Sequence, residues 1–219
     1  MTRGQAIYRD IHEDILSGKL RPDSKLILQD LCSTYATSMS PVREALSQLV
    51  ADHLVRLAPQ SGYWVAGASL EDFADLAQTR IELECDCLRS SIQHGGEEWE
   101  VRVLAASHRL QKVAAEGDSS KPGPEWEARH RELHISVVYA CGSPWKLRML
   151  DSLLDHFDRY RRIAGTIATA ATGLSVSHEM LCDAVMRRDA DSASALLTLH
   201  IGQTTDTVTN ALADRLGVN

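Results

Sequence analysis

The 219-residue chain has no apolar run approaching the roughly 18 residues that a membrane-crossing helix takes. Its opening stretch, MTRGQAIYRDIHEDI, also lacks the apolar segment of a secretory signal. The expectation is a soluble cytoplasmic protein with no membrane partner. Cysteines are scarce and poorly spaced for chemistry: there are five, an odd number, and Cys85 and Cys87 stand two positions apart rather than as a CxxC pair. That argues against a disulfide framework or a cysteine-built zinc site and for small buried thiols in a reducing compartment. No internal repeat, low-complexity tract or HExxH motif is present. With 44% hydrophobic residues the chain can build a real core, so disorder is not the default.

A net charge of −7 looks wrong for a nucleic-acid binder until it is divided along the chain. Residues 1–66 carry seven Lys/Arg and seven Asp/Glu, whereas residues 67–219 carry sixteen and twenty-three. All of the acidic excess therefore lies in the second part. A neutral first part can bind DNA only if its cations gather on one face.

The first part reads as three helices and a hairpin. Ile7, Tyr8, Ile11, Ile15 and Leu16 recur at helical spacing, and Gly18 ends that helix before a turn at Arg21-Pro22-Asp23. A second helix spans about Leu28 to Tyr35, and a third begins near Ser40-Pro41, where a hydroxyl can cap and proline is tolerated. In the third helix Val42, Ala45, Leu46, Leu49 and Val50 form one apolar stripe, which leaves Arg43, Glu44, Ser47 and Gln48 on the other side. Leu54 to Leu57 and Tyr63 to Val65 are strand-like runs around a loop at 58–62. This is the order of a winged helix-turn-helix.

From Ser69 onward strand signals are absent. Six helices are expected, at roughly 69–93, 97–116, 124–141, 144–171, 175–188 and 190–214. Their short connections favour an antiparallel bundle, and Glu116 to Pro124 is the most flexible-looking connection. The fold class is thus mainly α: residues 1–66 a winged helix-turn-helix, residues 69–215 an all-α antiparallel helical bundle.

The run Ser38-Met39-Ser40-Pro41-Val42-Arg43-Glu44-Ala45-Leu46, with Leu49, Gly62 and Val65, resembles the GntR family of bacterial regulators, as does the ILSGKLRPDSKL opening. The resemblance implies DNA binding through Ser38, Ser40 and Arg43 at the start of a recognition helix, helped by Arg56 and by Gly62 at the hairpin tip. The chemistry agrees, because hydroxyls can bond phosphate or base edges and a guanidinium can hold guanine bidentately. The plain alternative makes Ser40 a helix cap and Arg43 a solvated charge. Two departures stand out: Met39 where the family usually has arginine, and Asp23 where it usually has glycine.

Of nine histidines, four have meaningful spacing. His130 and His134 lie one turn apart on one helix face, and His178 and His200 flank Asp189 at equal distance, so they face each other across a helical hairpin. The two pairs could converge inside the bundle. Taken singly, each is as well read as an ordinary surface or core residue, and that reading is kept for the other five.

The second part resembles the FCD domain of the FadR branch of that family: Leu133-His134, then Tyr139-Ala140-Cys141-Gly142-Ser143-Pro144, then His178, Ala184, Asp189 and His200. The resemblance implies a divalent metal, zinc or nickel, on an aspartate and three histidines, with open positions for water or a carboxylate. His134, His178 and His200 match the histidines, and His130 occupies the aspartate position. Either His130 is a fourth ligand or it turns away and water completes a three-histidine site. Arg80, in Arg80-Ile81-Glu82-Leu83-Glu84, matches an arginine facing the ligand cavity, where it could clamp a carboxylate effector; its alternative is a surface pair with Glu84.

The expected function is a ligand-responsive DNA-binding regulator, a repressor by preference, that homodimerises on a palindromic double-stranded operator and senses a small organic acid. The rivals are a metal-dependent enzyme using the three histidines and a regulator whose effector binds without metal.

Overall fold

The computed structural model describes residues 2–116, 123–165 and 178–216. The expected loop at 117–122, the end of the helix expected to reach 171 and the start of the one expected from 175 lie outside the described residues. The elements run α1 (Arg3–Leu16), β1 (Lys25–Leu26), α2 (Leu28–Thr34), α3 (Met39–Ala51), β2 (Val55–Ala58), β3 (Gly62–Val65), α4 (Leu70–His94), α5 (Glu97–Glu116), α6 (Pro124–Val138), α7 (Pro144–Ala164), α8 (178–186) and α9 (Ala190–Leu216).

Two separate apolar cores organise them. One gathers Ile7, Ile11, Ile15, Leu46, Leu49 and Val65 beneath the helix-turn-helix. The other runs from Phe73 to Leu212 through the bundle, where α4 packs against α9, α7 and α6, and α5 pairs with α6. Among the described residues no helix is long and apolar enough to cross a membrane.

Several boundaries move. Helix α3 starts at Met39 with Ser38 as its N-cap residue, one position ahead of the expected start, and the Ser38 side chain makes no capping bond. Helix α6 ends at Val138, so Cys141 belongs to the turn that follows. Strand β1 was not expected: two residues have no readable alternation, and it exists because it pairs with β3, Lys25 opposite Trp64 and Leu26 opposite Tyr63. The three strands lie in the order β1, β3, β2.

Backbone geometry explains one departure. Asp23 adopts φ 57°, the left-handed region. Glycine enters it freely, and aspartate is among the few side chains that tolerate it, so the turn survives the exchange. The hairpin tip makes the same demand at Gly62, with φ 86° and open space where a Cβ would be.

Candidate metal centre

Helix α6 carries His130 and His134 on the face turned into the bundle, α8 brings His178, and α9 brings His200. The hairpin between α8 and α9 turns where the sequence indicated: the Asp189 carboxylate accepts the Ser192 amide at 3.0 Å, and α9 begins at Ala190. All four histidines are buried. One ligand atom from each lies within 4.8 Å of the other three. The His178 and His200 ring centroids are 4.4 Å apart, and those of His130 and His134 4.6 Å. His130 therefore turns into the cluster, its ring stacked on Trp126 at 4.9 Å.

Electrostatics disfavours the charged form at three of these rings. Burial, then the neighbouring histidines, hold His130 and His200 well below the ordinary imidazole value. Burial likewise lowers His178, to about 3. Arg161, itself buried, pushes in the same direction on all three.

Behind His134 stands a carboxylate. Glu84 Oε1 lies 2.5 Å from His134 Nδ1, and Glu84 Oε2 accepts from Arg80 Nε at 2.9 Å. Burial alone would raise the Glu84 carboxyl, yet the Arg80 guanidinium and His134 bring it down to about 2. An ionised Glu84 calls for a proton on His134 Nδ1, and the other ring nitrogen, Nε2, faces inward, 3.2 Å from His200 Nε2. The pairing of Arg80 with Glu84 is thus no surface pair. Both side chains are buried, and the guanidinium lies over the Phe157 ring at 4.4 Å, committed to orienting a histidine.

A divalent ion fits this donor set. His130 Nε2 and His178 Nε2 are buried without a hydrogen-bond partner among the described residues, and leaving such atoms unsatisfied costs about 1–3 kcal/mol each. Two metal–nitrogen bonds of about 2.1 Å at the tetrahedral angle span about 3.4 Å, so nitrogens gathered within 4.8 Å close on one ion through side-chain shifts of about an ångström. Neutral imidazoles with an outer carboxylate are what zinc and its neighbours favour.

Sequence reasoning passed over Glu84 as part of the site and missed Arg161. The signal was available: Arg161 falls on the inward stripe of α7 with Leu150, Leu154, Phe157 and Ala164, and Glu84 on that of α4 with Phe73, Ala77 and Leu88. A charge on an apolar stripe marks a buried polar network.

The proposed DNA-reading residues lie at the other end of the chain and on its surface. Ser38, Ser40 and Arg43 are exposed along the first turns of α3, and Met39 among them is exposed as well. Arg56 is half-exposed, 3.7 Å from Asp23 and 5.2 Å above the Trp64 ring. Glu44 differs: a Cβ at Gly4 would fall 2.5 Å from its carboxylate, so it lies against the first turn of α1. Arg3 donates to the Ala36 carbonyl at 2.7 Å and to the Thr37 hydroxyl at 3.2 Å, bracing the turn before α3, a role sequence spacing did not suggest.

Comparison with known proteins covers both parts. Residues 3–65 match the family described as bacterial regulatory proteins, gntR family, and residues 75–203 match the FCD domain. The chain is 40% identical over 202 residues to the HTH-type transcriptional repressor GlaR of Escherichia coli, covering 89% of this chain and 90% of that one. It is 39% identical over 199 residues to the uncharacterized HTH-type transcriptional regulator BphR of Paraburkholderia xenovorans, covering 90% and 81%. The solved structure of E. coli McbR/YncC shares the fold, with a TM-score of 0.76 at 18% identity over 96% of this chain and 98% of that one. A GntR regulator from Rhodococcus does so with a TM-score of 0.77 at 18% identity over 96% and 99%.

Proposed function

The chain belongs to the GntR family of bacterial regulatory proteins, with an FCD domain behind its DNA-binding module, and from that premise we propose a repressor whose bundle binds a divalent metal ion and a small carboxylate effector. That it is a DNA-binding transcription regulator and not an enzyme follows from the family and from relatives named as regulators. The sign of regulation is taken from GlaR and RspR of E. coli, both named repressors.

The observation that carries the metal reading is the convergence of four buried imidazoles on one point. His130, His134, His178 and His200 hold the ion, and Glu84 orients His134 with Arg80 keeping that carboxylate ionised. When bound, the ion supplies a positive centre for a carboxylate oxygen. Four neutral ligands leave its whole charge to attract an anion, where an aspartate would have cancelled part of it. Arg80 was the expected anion clamp. Arg161, whose charge reaches three of the histidines and whose Nη1 donates to Asp158 at 3.0 Å, is a second candidate beside it.

The head reads a palindromic operator as one half of a homodimer, with Ser38, Ser40 and Arg43 at base edges and phosphates and with Arg56 and Gly62 in the wing. An effector that favours one arrangement of the two heads shifts operator affinity by its differential binding.

Metal analysis of untagged protein purified without chelator tests this directly. About one zinc or nickel per chain is expected, lost together in His178→Ala and His200→Ala proteins that keep their helical spectrum. A folded wild-type chain that takes up neither ion overturns the metal reading. Gel shifts with small carboxylic acids, with and without chelator, then separate metal-dependent sensing from sensing that needs no metal.

A further inference from the structure

Helix α7 has one side on the histidine site and the other on the DNA-binding head. On the bundle side Phe157 packs against Phe73 at 5.2 Å and under the Arg80 guanidinium, and Arg161 lies 5.9 Å from the Trp126 ring on which His130 stacks. Within the same two turns α7 grips the head and the linker. His156 Nε2 donates to the Asp52 carbonyl at 2.9 Å, just past the end of α3. Asp155 lies 3.3 Å from His12, and Arg162 lies 3.7 Å from Glu13, both on α1. The Tyr160 hydroxyl accepts the Ser69 amide at 3.2 Å and donates to Asp72 at 2.6 Å.

Arg159 is the centre of this grip. It is 2% exposed, and its guanidinium donates to the linker carbonyls of Ala66 and Gly67. Its Nε is buried without a hydrogen-bond partner among the described residues. A buried cation is ordinarily met by a bonded carboxylate. Here two carbonyl dipoles stand in its place, so the cost of burial offsets much of what the charged bonds contribute. A contact balanced this way can open. There is room beside it, since a cavity of about 700 Å³ lined by Asp23, His53, Asp72, His156 and Arg159 separates head from bundle.

We propose that Arg159 is a positioning residue that latches the DNA-binding head to the bundle of its own chain, so that α7 transmits the state of the histidine site to the pose of α3. The latch itself stands on the contacts of Arg159; its coupling to the site rests on the metal reading above.

Hydrogen exchange of the full-length chain, chelator-treated and with zinc(II) added, tests both halves. In the wild type, zinc changes exchange at the Ala66 and Ser69 amides. In Arg159→Ala these amides exchange roughly two- to tenfold faster, the loss expected for a hydrogen-bond donor whose burial cost offsets part of its charge, and no longer respond to zinc, while α6 and α9 keep their zinc-dependent protection. Arg159→Lys, which keeps the charge and one donor, falls between. If Arg159→Ala loses protection throughout α4 and α9, the lysine variant decides, because the latch requires faster linker exchange with those helices intact. Linker exchange equal to wild type, or an unchanged zinc response in the linker, overturns the proposal. A wild type that binds no zinc removes the metal reading, yet the metal-free comparison with Arg159→Ala still decides the latch.

Discussion

The two cores differ in kind. Beneath the helix-turn-helix the buried side chains are apolar. Every buried polar or charged side chain among the described residues, from Arg80 and Glu84 through the four histidines, lies in the bundle. The head keeps its polar chemistry on the surface: Ser38, Ser40 and Arg43 are exposed, and apolar packing serves only to hold them. The bundle keeps its polar chemistry inside, where low dielectric makes each partner matter more. One region turns its polar groups outward, as a DNA-binding module must, and the other turns them inward.

The contrast is tested most severely at Glu84. Glu84→Ala leaves Arg80 and His134 buried without their carboxylate, and a loss of about 3–5 kcal/mol is expected in urea unfolding of the chelator-treated protein, with metal affinity down about 10–100-fold by calorimetry. In the head, Leu46→Ala opens a plain apolar cavity at about 2–5 kcal/mol, and metal uptake should be untouched. A Glu84→Ala protein as stable as wild type would deny that the bundle's interior is a coupled network.

Acid should separate the regions next. An unfolded histidine takes up a proton near its ordinary value of 6.5, but folded His178 does so only near 3, and His130 and His200 are also held low. Between those values the unfolded chain binds more protons, so stability must fall as pH drops below about 6.5. Metal-free protein melted across that range should lose bundle stability, and an Arg43→Ala control should show the same slope. A flat profile would mean that the rings are charged in the folded state.

Smaller effects belong to the head. Arg43→Ala should weaken operator binding by about 1–3 kcal/mol and relax preference at one base pair, with metal content unchanged. Met39→Arg should restore a cation on an exposed position and steepen the salt dependence of DNA binding by about one phosphate contact. An unchanged salt slope would place Met39 outside the interface.

Much of this was legible in advance because it is local. Helical spacing located α1, the apolar stripe of α3 and most bundle helices, and the equal distances of His178 and His200 from Asp189 placed them across one hairpin. The i, i+4 pair of His130 and His134 needed only the pitch of a helix. What escaped was set by partners distant in the chain: β1 exists because β3 lies beside it, and Asp23 takes a glycine's conformation because the turn around it demands one.

The sequence by itself determined the order of elements, the mainly helical class, the family's motifs and the four histidines, since periodicity, capping and spacing act over a few residues. Tertiary structure alone decided that His130 points into the cluster, that Arg80 and Glu84 form a buried support for His134 rather than a surface pair, and that Arg159 holds the linker of its own chain. These depend on which charges share one dry interior. Burial and the strength of an ion pair are properties of the packed chain, not of any segment of it.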